Sequence, residues 1–209
     1  MKKFISLGSW CHPAMNLKYL GLRKESFPFD WILTKDEKVF YYVNDLINTN
    51  FKHFITNLTY NENKHVVSKN YDFTDFRHHD LIKNISIGRD MNEKILKEMY
   101  IRRVKRFMNN ISDKNNNIIF LCIIHHRYLY NKELWNDMKK FDNNINIKCS
   151  YKVLVYFYED NNDFKFEIPK ELSGLKHFIF DKYIKNQKIS RIYGDKNDFK
   201  NLLTRNKLI

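Results

Sequence analysis

Ile118-Ile119-Phe120-Leu121-Cys122-Ile123-Ile124 is apolar at every position. A strand covered on one face alternates apolar and polar residues, because successive side chains point to opposite faces. An uninterrupted run suits a strand buried on both faces, as in a parallel sheet lined by helices on each side. The chain downstream agrees. Residues 132–141 have helical spacing, Lys152 to Tyr158 reads as the next strand, and His177 to Phe180 as another. Asp195 to Arg205 reads as a closing amphipathic helix on Phe199, Leu202 and Leu203. Strand, helix, strand at this spacing is the mark of a crossover unit that joins parallel strands.

Upstream, Phe4 to Leu7 is a short apolar run that predicts a buried strand, broken at Gly8 and Ser9. A helical pattern follows on Met15, Leu17, Tyr19 and Leu20, with Pro13 near its start and Gly21 at its end. Cys11 therefore falls at a strand-to-helix turn. Thr34 and Glu37 form a capping box for a second helix carrying the stripe Val39, Phe40, Val43, Leu46 and Ile47. His65 to Val67 and Tyr71 to Phe76 predict a hairpin turning at Ser68 to Asn70 and leading into Arg77-His78-His79-Asp80. Asp90 and Glu93 cap a long helix to about Ile111, apolar on one face and basic on the rest through Arg102, Arg103 and Arg106. The expected fold is a single α/β domain over residues 1–209, a three-layer sandwich with a mostly parallel sheet and an inserted hairpin. Sites in such sheets form at the carboxyl ends of the strands. Cys11, after the first strand, and His125, after the 118–124 strand, share that edge.

Composition narrows the classes. With 209 residues, 43% hydrophobic and 29% charged, the chain can build a real core. No apolar run approaches the ~20 residues of a membrane span. The opening Met-Lys-Lys-Phe-Ile-Ser-Leu starts like a leader but stops at Gly8, so it reads as a strand and a cytoplasmic location is expected. Three cysteines, Cys11, Cys122 and Cys149, lack the number and spacing of a disulfide framework. No Cys-x-x-Cys occurs, and the adjacent pairs His78-His79 and His125-His126 point to opposite faces of a strand, so no metal or cofactor is expected. There is no Walker loop and no Gly-x-Gly-x-x-Gly, and Leu17 stands where a Cys-x5-Arg phosphatase loop needs arginine. The net charge of +13 comes from lysines scattered along the chain, which predicts weak, nonspecific binding to polyanions.

Cys11 is the residue with chemistry in view. The thiolate is the nucleophilic form of cysteine, and a helix start favours negative charge through its dipole and its N–H groups. The same N–H groups suit an oxyanion in acyl transfer. The competing role is a small core residue, since free cysteines are often buried. A nucleophile also needs a base, usually histidine, held by a third group. His125 qualifies by position; His12 follows Cys11 directly and points elsewhere. Asp30, inside the apolar Phe27-Pro28-Phe29-Asp30-Trp31-Ile32, and Asp80 are the available carboxylates. Burial of Asp30 requires partners. Arg23 suits an internal salt bridge or a carboxylate or phosphate ligand.

Gly8, Cys11, Leu22-Arg23, Ser26, Pro28-Phe29-Asp30-Trp31, His79-Asp80 and Arg102-Arg103 with Arg106-Phe107 together resemble the DUF1796 family of papain-like cysteine peptidases, whose members occur in bacteria and in large DNA viruses, including poxviruses. The resemblance covers most of the first 125 residues. It implies a cysteine peptidase, or a related thiol hydrolase or acyltransferase, acting on a peptide or protein. Cys11 would be the nucleophile and His79 the base; Asp30 is preferred to Asp80 as the orienting group because Asp80 adjoins His79, and direct neighbours bond poorly through their side chains. It also implies a papain-like α+β fold, with the cysteine helix against an antiparallel sheet, which the 118–158 pattern opposes. The alternative function is a non-catalytic basic protein that binds nucleic acid or an acidic partner.

Overall fold

The computed structural model describes residues 2–62, 65–76, 93–146, 148–159, 164–184 and 196–209. In chain order these hold β1 (Lys2–Ser6), α1 (His12–Tyr19), β2 (Leu33–Thr34), α2 (Val39–Asn48), β3 (Leu58–Tyr60), β4 (Val66–Ser68) and β5 (Thr74–Asp75). There follow α3 (Glu93–Ser112), β6 (Asn117–His125), α4 (Lys132–Asn146), β7 (Ser150–Tyr158), β8 (Phe178–Lys182) and α5 (Lys196–Arg205).

β1, β6, β7 and β8 form one sheet in the order β1-β6-β7-β8, and every pairing is parallel. The register sets Ile5 beside Phe120, Cys122 beside Val155 and Val155 beside Phe180. The uninterrupted apolar run of β6 has the expected cause. Ile118, Phe120, Cys122 and Ile124 enter a core shared with α2, α3 and α4, while Ile119, Leu121 and Ile123 enter a second core shared with α1 and α5. The fold is thus the α/β sandwich with helices on both faces. The antiparallel papain-like arrangement does not describe this sheet.

Each covering helix buries the stripe its sequence offers. α4 turns Leu134, Trp135, Met138, Phe141 and Ile145 inward, α3 turns Tyr100, Phe107 and Ile111, and α5 turns Phe199, Leu202 and Leu203. These spacings place one side of a 3.6-residue helix against the sheet. The larger core is aromatic: Phe29, Phe51, Phe54 and Tyr42 meet Phe107, Tyr100 and Phe76 edge-on or tilted, with centroids 5.1–6.3 Å apart. Such rings pack favourably in that geometry.

Two local expectations shift. Thr34 does not cap a helix. It sits in β2 paired with Thr74, its N–H donates to Ser9 O at 2.8 Å, a 3-10 turn spans Asp36–Lys38, and α2 starts at Val39. The inserted hairpin has more partners than read: Ser68 bridges Tyr71 and Phe76 N–H donates to Val66 O at 2.8 Å as expected, but β4 also pairs antiparallel with β3, and Thr74 and Asp75 pair with β2. Asp90, the proposed cap of α3, lies outside the described residues. Among the described residues, no helix is long and apolar enough to cross a membrane.

Candidate active site

The chain leaves β1 through Gly8, whose φ of +95° is the left-handed backbone that glycine adopts without strain. Cys11 follows as the N-cap of α1, its carbonyl accepting from Met15 N–H at 2.9 Å. First-turn N–H groups have no partner within a helix, and Pro13 removes one of them. The sequence reading of Cys11 as a helix-start residue therefore stands in the structure. Its side chain is buried at 6% exposure.

What surrounds Cys11 follows from its neighbours. His12 enters the second core, its Nδ1 2.9 Å from Tyr156 Oη and its Nε2 3.2 Å from Tyr183 Oη. Burial holds the Tyr156 hydroxyl protonated, and its neighbours Tyr183, Cys122 and Cys11 act in the same direction. On the other side, Ser9 and Trp10 both reach Asp36. Ser9 Oγ lies 2.6 Å from Asp36 Oδ1, Trp10 Nε1–H donates to the same oxygen at 3.2 Å, and His125 N–H donates to Oδ2 at 2.6 Å. Asp36 thereby ties the Cys11 turn to the end of β6.

Ser9 Oγ is also 2.7 Å from the carbonyl oxygen of Ile123, so this hydroxyl bridges Asp36 and the end of β6. Burial pushes the Asp36 carboxyl upward, against the bonds from Ser9, His125 and Trp10.

A cleft of about 770 Å³ opens at this edge. Trp10, Asp36, His125 and Tyr158 wall one side, and Asp72, Thr74 and Asp75 from the β5 region wall the other. Cys11 itself is not among the wall residues. His125 stands edge-on to Tyr158 at 5.0 Å, and its Nδ1 accepts from Arg127 N–H at 3.2 Å. With Nδ1 accepting, the neutral ring carries its proton on Nε2, the wrong tautomer for a base at that atom. His65 has the opposite arrangement. Its Nδ1 faces Asp75 Oδ2 at 3.0 Å, so the carboxylate orients the ring and leaves Nε2 as the acceptor. No sequence pattern signals this pair, because ten positions and the whole of β4 separate its members. His79 and Asp80 lie outside the described residues.

The pattern of the DUF1796 family, described as "putative papain-like cysteine peptidase", matches residues 2–156. The chain belongs to this family. An uncharacterized protein of Acanthamoeba polyphaga mimivirus is 66% identical over 29 residues, a stretch covering 14% of this chain and 13% of that protein. No solved structure matches.

The residues that carry the family resemblance separate into two places. Gly8 and Cys11 belong to the turn just described. Arg23, Ser26, Asp30, Trp31, Arg103 and Arg106 belong to another cluster. Asp30 is buried and takes bonds from Arg23 Nε and from Phe27 N–H, both at 2.9 Å. Burial lifts its carboxyl to about 6, although Arg23, the Phe27 bond and Arg103 all pull it down. The carboxylate that was expected to orient a histidine is thus engaged by arginine.

Proposed function

We propose that this protein is a thiol hydrolase or acyltransferase in which Cys11 attacks a carbonyl of a peptide or side-chain amide. The observation that carries the reading is the position of Cys11: a helix N-cap at the carboxyl edge of a parallel sheet, one residue from the wall of the cleft. Family membership supports a cysteine-peptidase chemistry in general. The helix start favours the thiolate and the oxyanion that forms on attack. His79 is the proposed base, on the resemblance. Asp30 is proposed to position it through the Arg23-braced segment rather than as a free carboxylate. A second arrangement rests on a specific contact: the Asp75 carboxylate, on the cleft wall, orients His65 and leaves Nε2 as the acceptor of its ring.

The two other cysteines provide the control. Burial holds the Cys122 thiol well above the usual range and pushes Cys149 up to about 11. Brief iodoacetamide treatment of the native protein at neutral pH, followed by mass-spectrometric mapping, is expected to label Cys11 first. Labelling of Cys122 or Cys149 ahead of Cys11 refutes the nucleophile assignment.

A further inference from the structure

The second cluster has its own depression, about 580 Å³, lined by Lys18, Arg23, Lys24, Ser26, Trp31 and Arg106, with Glu25 the one acid on its wall. It draws on three separate pieces of chain: α1, the loop after it, and α3. Two of the guanidiniums are fixed on one residue. Arg23 Nη2 donates to Ser26 Oγ at 2.5 Å, and Arg106 Nη1 donates to Ser26 O at 2.6 Å. Arg23 is further held by Asp30 at 2.9 Å and lies over the Trp31 ring at 5.1 Å. A guanidinium has five N–H donors in a rigid fork, so each arginine keeps donors beyond those its braces use. Behind them, Arg103 is 8% exposed, lies over Tyr100 at 5.2 Å and, among the described residues, has no hydrogen-bond partner for Nη1. Five cationic side chains thus converge where, among the described residues, Glu25 and Asp30 are the acidic neighbours. Like charges repel, and Asp30, which faces both Arg23 and Arg103, balances only part of this excess.

We propose that this depression binds the phosphate group of a small phosphomonoester, with Arg23 and Arg106 as preset forks and Lys18 and Lys24 as the mobile closing charges. Prepositioned arginine forks match the tetrahedral oxyanion bidentately, and lysines add point charge without fixed geometry. The volume exceeds what phosphate alone fills, which leaves room for the group that bears it. The site is separate from the Cys11 cleft and does not depend on the thiol chemistry.

The test measures thermal stability of the whole chain in inorganic phosphate and in ribose 5-phosphate, each against potassium chloride at matched ionic strength. Both phosphates are expected to raise the melting temperature saturably, beyond chloride, as a ligand of the folded state must. The double variant Lys18→Gln/Lys24→Gln replaces two exposed side chains, and it is expected to weaken binding by about tenfold or more. Lys114→Gln/Lys148→Gln, at a second basic depression on the far side of the chain's sequence, is the control and is expected to leave binding unchanged. Equal effects of chloride and phosphate, or equal losses in both double variants, overturn the proposal in favour of general charge screening. Binding to phosphatidic acid vesicles without response to either soluble phosphate overturns it in favour of a lipid surface.

Discussion

Two buried aspartates are pushed upward by burial against different sets of partners. Asp36 is surrounded by hydroxyl, indole and amide groups, with Cys122 and His125 the titratable groups close to it. Asparagine keeps the shape of this side chain: its oxygen can accept from His125 N–H and its amide can bond Ser9 Oγ. Asp36→Asn is therefore expected to unfold within ~1 kcal/mol of the parent, while Asp36→Ala, which strands buried donors, is expected to lose ~2–3 kcal/mol. Denaturant titration checks this; equal losses in the two variants would contradict it. Asp30 titrates from about 6 in the folded protein against 3.8 as a free side chain. A raised carboxyl binds its proton more tightly when folded, so its stabilisation is complete below pH 3.8 and is lost as pH rises through 6. That loss amounts to ~3 kcal/mol at 1.4 kcal/mol per pH unit. Subtracting the pH–stability curve of Asp30→Asn from that of the parent should reveal a decline across this window. A difference that rises with pH would mean that Arg23 outweighs burial.

At the scale of elements, the most legible parts of the chain were those with a single dominant period. β6 and β7 were readable because both faces are covered, and α4 and α5 because one face is. The same property makes their packing costly to disturb. Phe107, fully buried on α3 against Phe29, Phe51 and Phe120, is expected to cost ~3–5 kcal/mol when replaced by alanine. A loss below ~1 kcal/mol by denaturant titration would deny α3 its place over the sheet. The short strands were not legible, since two- or three-residue pairings have no period of their own. Thr34 has the sequence of an N-cap, yet its N–H serves Ser9 O and its backbone pairs with Thr74. Long-range bonds decided a segment where local preference pointed elsewhere. For the same reason Leu58–Tyr60 gave no clear pattern until β4 paired with it. Gly21 was legible: its φ of +68° ends α1, and with nothing within 4 Å of an added Cβ, Gly21→Ala is expected to cost only the ~1 kcal/mol of left-handed strain. A cost several times larger, by thermal unfolding, would mean the turn repacks.

At the scale of the whole molecule, the parallel sheet brings the exits of β1 and β6 to one edge and the β3–β5 region to the other wall of the same cleft. Cys11 and its helix start could be read from local pattern alone. Asp36 and the His65–Asp75 pair could not, because nothing in the residues between them signals that they meet. The family's motif residues sort by place rather than by order, with the thiol turn on one side and the arginine cluster on another. The central claim is that Cys11 is an activated thiol. Its alkylation rate as a function of pH, in the parent, His79→Ala and His65→Ala, tests that most directly. An imidazolium partner lowers a thiol pKa, so the parent profile is expected to have its midpoint well below the ordinary ~8.5, and one histidine variant to shift it upward with the fold intact. A parent midpoint at or above ~8.5 that neither variant moves would contradict the account and return Cys11 to the core as a structural residue.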